Sequence, residues 1–114
     1  MSTRQIDVFN TAAKPILDSV LEGFNGTILT YGQTSSGKTF TMEGVNGNPE
    51  LQGIIPRTIK TVFEYIRETT EDTEFTVKVS MVEIYMEKIK DLIEATRNNL
   101  NIREDKVKVI YIED

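Results

Sequence analysis

Apolar side chains recur at steps of three or four along the first two dozen residues. Phe9, Ala13, Ile16, Val20 and Phe24 form the series, with Leu17 and Leu21 beside them. That is the period of one helix face, and it predicts a helix over residues 2–24. Ser2 followed by Gln5 has the spacing of a capping box. Pro15 lies inside the pattern and has no N–H to give, so it should kink the helix or mark its true start. The "GFNG" that follows ends it, with Gly23 and Gly26 free to take positive φ. Next comes "TILTY", residues 27–31, short, β-branched and not alternating. This pattern predicts a strand covered on both faces, as in a parallel sheet. A helix can begin near Gly37.

Residues 43–53, "EGVNGNPELQG", form a polar, turn-rich interruption. Helical periodicity resumes with Ile55, Ile59, Val62, Phe63 and Ile66, with Pro56 near the start, where its missing N–H costs little. One helix broken by a surface loop, or two helices, would fit. In "TEFTVKVSMVEIY", residues 73–85, Phe75, Val77, Val79 and Met81 alternate with polar residues, which predicts a strand. The phase slips at Val82 and Ile84, as at a bulge or a fully buried end. Residues 86–93 read as a short helical turn with Ile89, Leu92 and Ile93 inward. Residues 100–114 read as two short strands around Glu104, Asp105 and Lys106. The order helix, strand, loop, helix points to an α/β protein.

Composition narrows the chemistry. The 114 residues suffice for one domain with one modest core. Net charge is −5, so a general nucleic-acid surface is not expected. No apolar run is long enough to span a membrane, and "MSTRQIDVFN" lacks the layout of a signal peptide. There is no cysteine and no histidine, which removes disulfides, thiolate metal sites and Ser-His catalysis together. A reducing, cytoplasmic setting is consistent with that.

The chemistry sits between the predicted strand at 27–31 and the helix behind it. Gly32, Gln33, Thr34, Ser35, Ser36, Gly37, Lys38 and Thr39 fit G-x-x-x-x-G-K-S/T at every fixed position. Glycines let successive backbone N–H groups turn inward on an anion, and the following helix adds its positive end. Lys38 is suited to reach the β- and γ-phosphates, and Thr39 offers a hydroxyl to Mg²⁺. The motif alone does not separate ATP from GTP, or motor from kinase. Glu83 and Glu87 read most simply as solvated, and Glu104 and Asp105 as turn residues. Lys88, Lys90, Arg97, Arg103, Lys106 and Lys108 cluster, but interleaved acids make a mixed solvated face the plain reading.

The wording around the loop is more specific than the loop. "VLEGFNGTILTYGQTSSGKTFTMEG" (20–44), "GIIPRTIKTVFEYI" (53–66) and "VKVSMVEIYMEKIKDLI" (77–93) resemble the kinesin motor domain, in that family's order, over nearly all 114 residues. "GQTSSGKT" and "REDK" (103–106) are most similar to conventional kinesin heavy chains. The resemblance implies a P-loop NTPase of α/β class, a motor head with a central, mostly parallel sheet flanked by helices. It implies ATP or ADP with Mg²⁺ as ligand, residues 32–39 as the P-loop, and 43–53 as the loop that interrupts the next helix. Phe40 falls at the position that flanks the adenine, where stacking and helix packing are both open to its ring. Lys88, Arg103 and Lys108 fall at basic microtubule contacts, and residues 100–112 at a microtubule-facing hairpin. The implied partner is tubulin and the implied place is the cytoplasm, on the microtubule cytoskeleton, in a parent that can dimerise through a coiled coil.

The departures are as informative. The family's Arg-x-Arg-Pro segment, its Asn-x-x-Ser-Ser-Arg-Ser-His switch I and its Asp-Leu-Ala-Gly switch II do not occur in these residues. The chain therefore reads as an internal slice of a motor head, able to hold phosphate and without catalytic residues of its own. A non-hydrolysing P-loop binding module, or a small P-loop kinase or GTPase unrelated to motility, stands as the alternative. No Asn-Lys-x-Asp guanine signature supports the GTPase.

Overall fold

The computed structural model describes residues 3–70, 72–94, 100–105 and 109–112, the stretches 102–105 and 109–112 as backbone alone. Residues fall into two compact units, Met1–Glu74 and Phe75–Asp114.

The first unit opens with helix α1, Gln5–Val8, which continues through a wider π-turn segment, Phe9–Ala13, into helix α2, Lys14–Leu21. Ser2 lies outside the described residues, and the capping role expected of Gln5 is not the one it plays. Arg4 is the N-cap, and Asp7 accepts from the Arg4 backbone at 3.4 Å and from its guanidinium at 3.1 Å. Those hydrogen bonds hold the Asp7 carboxyl below the usual carboxylate range. Both side chains are solvated, so the pair adds little to stability. Pro15 neither breaks nor starts the helix. The N–H of Lys14 reaches back five residues to the carbonyl of Phe9, and this change of register just ahead of Pro15 accommodates the missing donor.

The same wide turn explains which side chains are buried. Steps of four drift around a turn of 3.6 residues, and a locally wider turn absorbs the drift. Gln5, Phe9, Ala13 and Leu17 consequently share one buried stripe. Ile16, Val20 and Phe24 of the predicted face are partly exposed. Phe9, Ala13 and Leu17 pack with Ile54, and Ile28, Met42 and Val62 close around them.

Residues 27–31 correct the expectation of a covered strand. They are extended, but no ladder partner pairs with them among the described residues, and Leu29 and Tyr31 are 82% and 96% exposed. A strand exists only through a neighbour's hydrogen bonds, and an apolar, β-branched run cannot supply these alone.

Helix α3, Lys38–Met42, and helix α4, Ile54–Glu68, resolve the interrupted pattern into two helices. The loop between them closes on itself: Val45 donates to Leu51 at 2.9 Å, Gly53 to Glu43 at 3.0 Å, and Gly44 bridges Gln52. Pro56 sits in the first turn of α4 as expected. Ile54 is buried, whereas Ile59 and Phe63 remain about half exposed.

In the second unit, strand β1, Val82–Tyr85, pairs antiparallel with strand β2, Lys88–Asp91, across a two-residue turn. The helical turn expected at 86–93 is thus a hairpin. Met86 and Glu87 both take positive φ, 49° and 64°, as a type I′ turn requires. These are residue types that rarely adopt it, so the sequence offers no turn signal here. Ile89 is buried, while Leu92 and Ile93 are exposed. Residues 75–81 are extended without a ladder, so the strand predicted over 73–85 contracts to its last four residues. Strands β3, Ile102–Asp105, and β4, Val109–Ile112, form a second antiparallel pair.

Candidate functional site

The glycine-bearing loop leaves the extended residues 27–31 and feeds α3. Ser36 donates to the Gln33 carbonyl at 3.1 Å, which folds the loop into a turn. Ser35 and Gly37 take left-handed φ, 67° and 98°, on either side of Ser36. Left-handed residues of this kind turn neighbouring N–H groups toward a common concavity. Gly37 is also the N-cap of α3, and the Thr41 N–H returns to its carbonyl at 2.9 Å. A Cβ on Gly32 would lie 2.5 Å from the Ser36 hydroxyl, so the loop closes this tightly only with glycine there.

Lys38 is half-buried, and its Nζ donates to the Gly32 carbonyl, drawing the ammonium back across the loop. Gln33, Thr34, Ser35, Ser36 and Thr39 are exposed. α3 has only five residues, so its dipole is small and the loop amides with Lys38 supply most of the positive field. The donor set fits a polyphosphate: amides, an ammonium, and the Thr39 hydroxyl at the second position of α3. No cluster of acidic side chains able to cage a metal occurs among the described residues. A hydroxyl beside substrate phosphates is how Mg²⁺ is usually held when a cage is lacking.

Phe40 follows on α3. It is 45% exposed and takes no part in the buried cluster. It lines a cleft of about 470 Å³ with Thr3, Gln5, Leu51 and Arg57. Arg57 donates from Nε to the Gln52 carbonyl at 3.0 Å, and from Nη2 to those of Pro49 at 3.1 Å and Glu50 at 3.3 Å. It thereby gathers the far side of loop 43–53. Sequence reasoning assigned Arg57 nothing, because a basic residue in the first turn of an amphipathic helix carries no signal of its own. Gln5 did carry one. It stands four residues before Phe9, a polar residue on an apolar stripe, and such a group must find partners inside.

The basic residues lie in the second unit. Lys88 is exposed at the start of β2 and pairs with Tyr85, sharing a face with Lys90 and Glu83 opposite the buried Ile89. Arg103 lies on β3, opposite Tyr111 in the ladder. Lys108 is outside the described residues.

Residues 1–114 match the family model of the kinesin motor domain. The Dictyostelium discoideum "Kinesin-related protein 3" is 50% identical over 115 residues, covering 98% of this chain and 10% of its own length. The "Kinesin heavy chain" of Strongylocentrotus purpuratus is 52% identical, covering 97% of this chain and 11% of that protein. The human "Kinesin-1 heavy chain" is 53% identical, covering 97% and 12%. A solved structure of a fast kinesin superposes with a TM-score of 0.93 at 41% identity, covering 99% of this chain and 32% of that one. The chain thus spans about a tenth of the length of these relatives. It carries a piece of the P-loop NTPase fold of the kinesin motor, and it belongs to the kinesin motor domain family.

Proposed function

We propose that this chain supplies the nucleotide-phosphate-binding part of a microtubule motor, whose parent couples ATP hydrolysis to movement along microtubules in the cytoplasm. The observation that carries it is the loop at 32–39, in which left-handed Ser35 and Gly37 and the inward-drawn Lys38 accompany a full motif match. In this reading the N–H groups of residues 33–38 and the Lys38 ammonium bind the phosphates of ATP or ADP. The Thr39 hydroxyl holds Mg²⁺, and Phe40 flanks the base. The bound Mg²⁺ neutralises charge on the β- and γ-phosphates.

Phosphoryl transfer also needs a group that places the attacking water and senses the γ-phosphate. The loop supplies positioning and positive charge only. The purified chain is therefore expected to release phosphate from ATP no faster than buffer, with or without microtubules. Microtubule-stimulated release that vanishes in Lys38→Ala would show a catalytic apparatus within residues 1–114 and overturn this half of the reading.

Lys88, Arg103 and Lys108 form the track contact in the same reading, since a local positive surface can hold an acidic partner even on a chain of net charge −5. Reversing Lys88 and Arg103 to glutamate in a kinesin head carrying this chain is expected to weaken microtubule co-sedimentation by about tenfold or more at low salt and to flatten its salt dependence. ATP affinity without microtubules should not move. Unchanged co-sedimentation removes the assignment, and joint loss of both activities signals misfolding instead of a lost contact.

A further inference from the structure

Gln5 is buried, with 7% of its surface exposed, and it finds its hydrogen bonds on two other elements. Its Nε2 donates to the carbonyl of Phe40 at 2.6 Å and, more weakly, to that of Leu51 at 3.4 Å. The shortness of α3 explains the first bond. The last carbonyls of any helix lack an intrahelical partner, and in a five-residue helix these include Phe40. The N–H groups of Glu43 and Gly44 both go to Thr39, so the Phe40 carbonyl is left to the Gln5 side chain. One amide group from α1 thus joins the end of α3 to the far side of loop 43–53, whose opposite edge Arg57 gathers from α4. Gln5 and Phe40 line the same cleft.

We propose that Gln5 is a positioning residue for the nucleotide base. By holding the Phe40 carbonyl it sets where the Phe40 ring stands at the cleft. It therefore acts on the affinity for base-bearing nucleotides and leaves the affinity for the phosphate chain alone. The inference rests on the reading of residues 32–39 as the phosphate loop and of Phe40 as the base-flanking ring.

The test compares Mg·ATP with Mg·inorganic triphosphate by titration calorimetry on this chain. The variants are Gln5→Met, which keeps the shape and removes the donor, Gln5→Asn, which keeps the donor on a shorter stem, and Phe40→Ala alone and with each. Gln5→Met is expected to weaken ATP binding about fivefold to tenfold, the measure of one buried hydrogen bond, while triphosphate affinity stays within about twofold. Gln5→Asn should recover part of the loss. In the Phe40→Ala background the Gln5 substitutions should add nothing, because the ring they position is gone. Equal weakening of both ligands, no weakening of ATP, or additive effects in the double variants would overturn the inference. If Gln5→Met loses its helical circular dichroism, the Gln5→Asn series decides by the same criteria. A wild-type chain that binds neither ligand, or binds triphosphate without dependence on Lys38, removes the phosphate reading and the inference with it. Lys38-dependent binding with an unchanged ATP-to-triphosphate ratio removes the inference alone.

Discussion

Lys38→Ala is expected to weaken binding of Mg·ATP to this chain by about a hundredfold or more. A charge-assisted hydrogen bond contributes about 1.5–3 kcal/mol, and the ammonium is placed to serve two phosphates, so the loss amounts to at least two decades of affinity. The substitution also removes the bond from Nζ to the Gly32 carbonyl. Lys38→Met, which keeps the aliphatic stem, separates charge from packing and should lose nearly as much. Titration of a fluorescent ATP analogue with and without Mg²⁺ reads the effect. The neighbouring Thr39→Ala has a different signature. It leaves binding without Mg²⁺ nearly unchanged and removes the increment that Mg²⁺ adds, because only the hydroxyl is lost. Undiminished affinity in Lys38→Ala would end the assignment of the loop to phosphate. Equal loss in Thr39→Ala with and without Mg²⁺ would make that hydroxyl a phosphate contact and not a metal ligand.

How much could be read beforehand follows from the range of the interactions involved. The helices at 5–21, 38–42 and 54–68 and the tight loop before Lys38 are set by neighbours a few positions apart, and their periods and glycines are visible in the chain. Pro15 is the instructive exception. Its effect depends on whether the preceding turn can widen, which no local rule for proline states. Strands are a different matter. "TILTY" has strand composition, yet its backbone pairs with nothing among the described residues, because pairing is a property of two segments and composition belongs to one. The hairpin at Val82–Asp91 was hidden for the opposite reason. Its turn uses Met86 and Glu87 in a conformation that normally advertises itself through asparagine or glycine. At the candidate site the phosphate loop was legible in full, since its motif is a run of consecutive residues. The clamp that Gln5 and Arg57 place on loop 43–53 was not, since it joins positions 35 and 46 apart to one side chain, and both acceptors are backbone carbonyls that any residue would offer.

Leu17→Ala should be the most damaging single substitution in the buried cluster. Leu17 is 5% exposed and shares its packing with Phe9, Ala13 and Ile54 and a few half-buried neighbours. Truncating a buried leucine costs about 2–5 kcal/mol, the transfer of the lost methyl groups plus the cavity left behind. The upper half of that range applies where neighbours cannot collapse inward. Here one wall is Ala13, which has no side chain to move, and another is Ile54 in the first turn of α4, whose entry is fixed by the closed loop before it. Against a domain stability of order 5–15 kcal/mol the loss is large, and it should appear as a lower urea midpoint with the slope unchanged. Leu29→Ala is the matching control: the same chemical change at a side chain 82% exposed should shift the midpoint by no more than about 0.5 kcal/mol. A comparable loss in both variants would mean that Leu29 is buried in solution, and hence that residues 27–31 are covered there by another segment or another copy. A negligible loss at Leu17 would mean that the stripe of Gln5, Phe9, Ala13 and Leu17 is not what holds α1, α2 and α4 together.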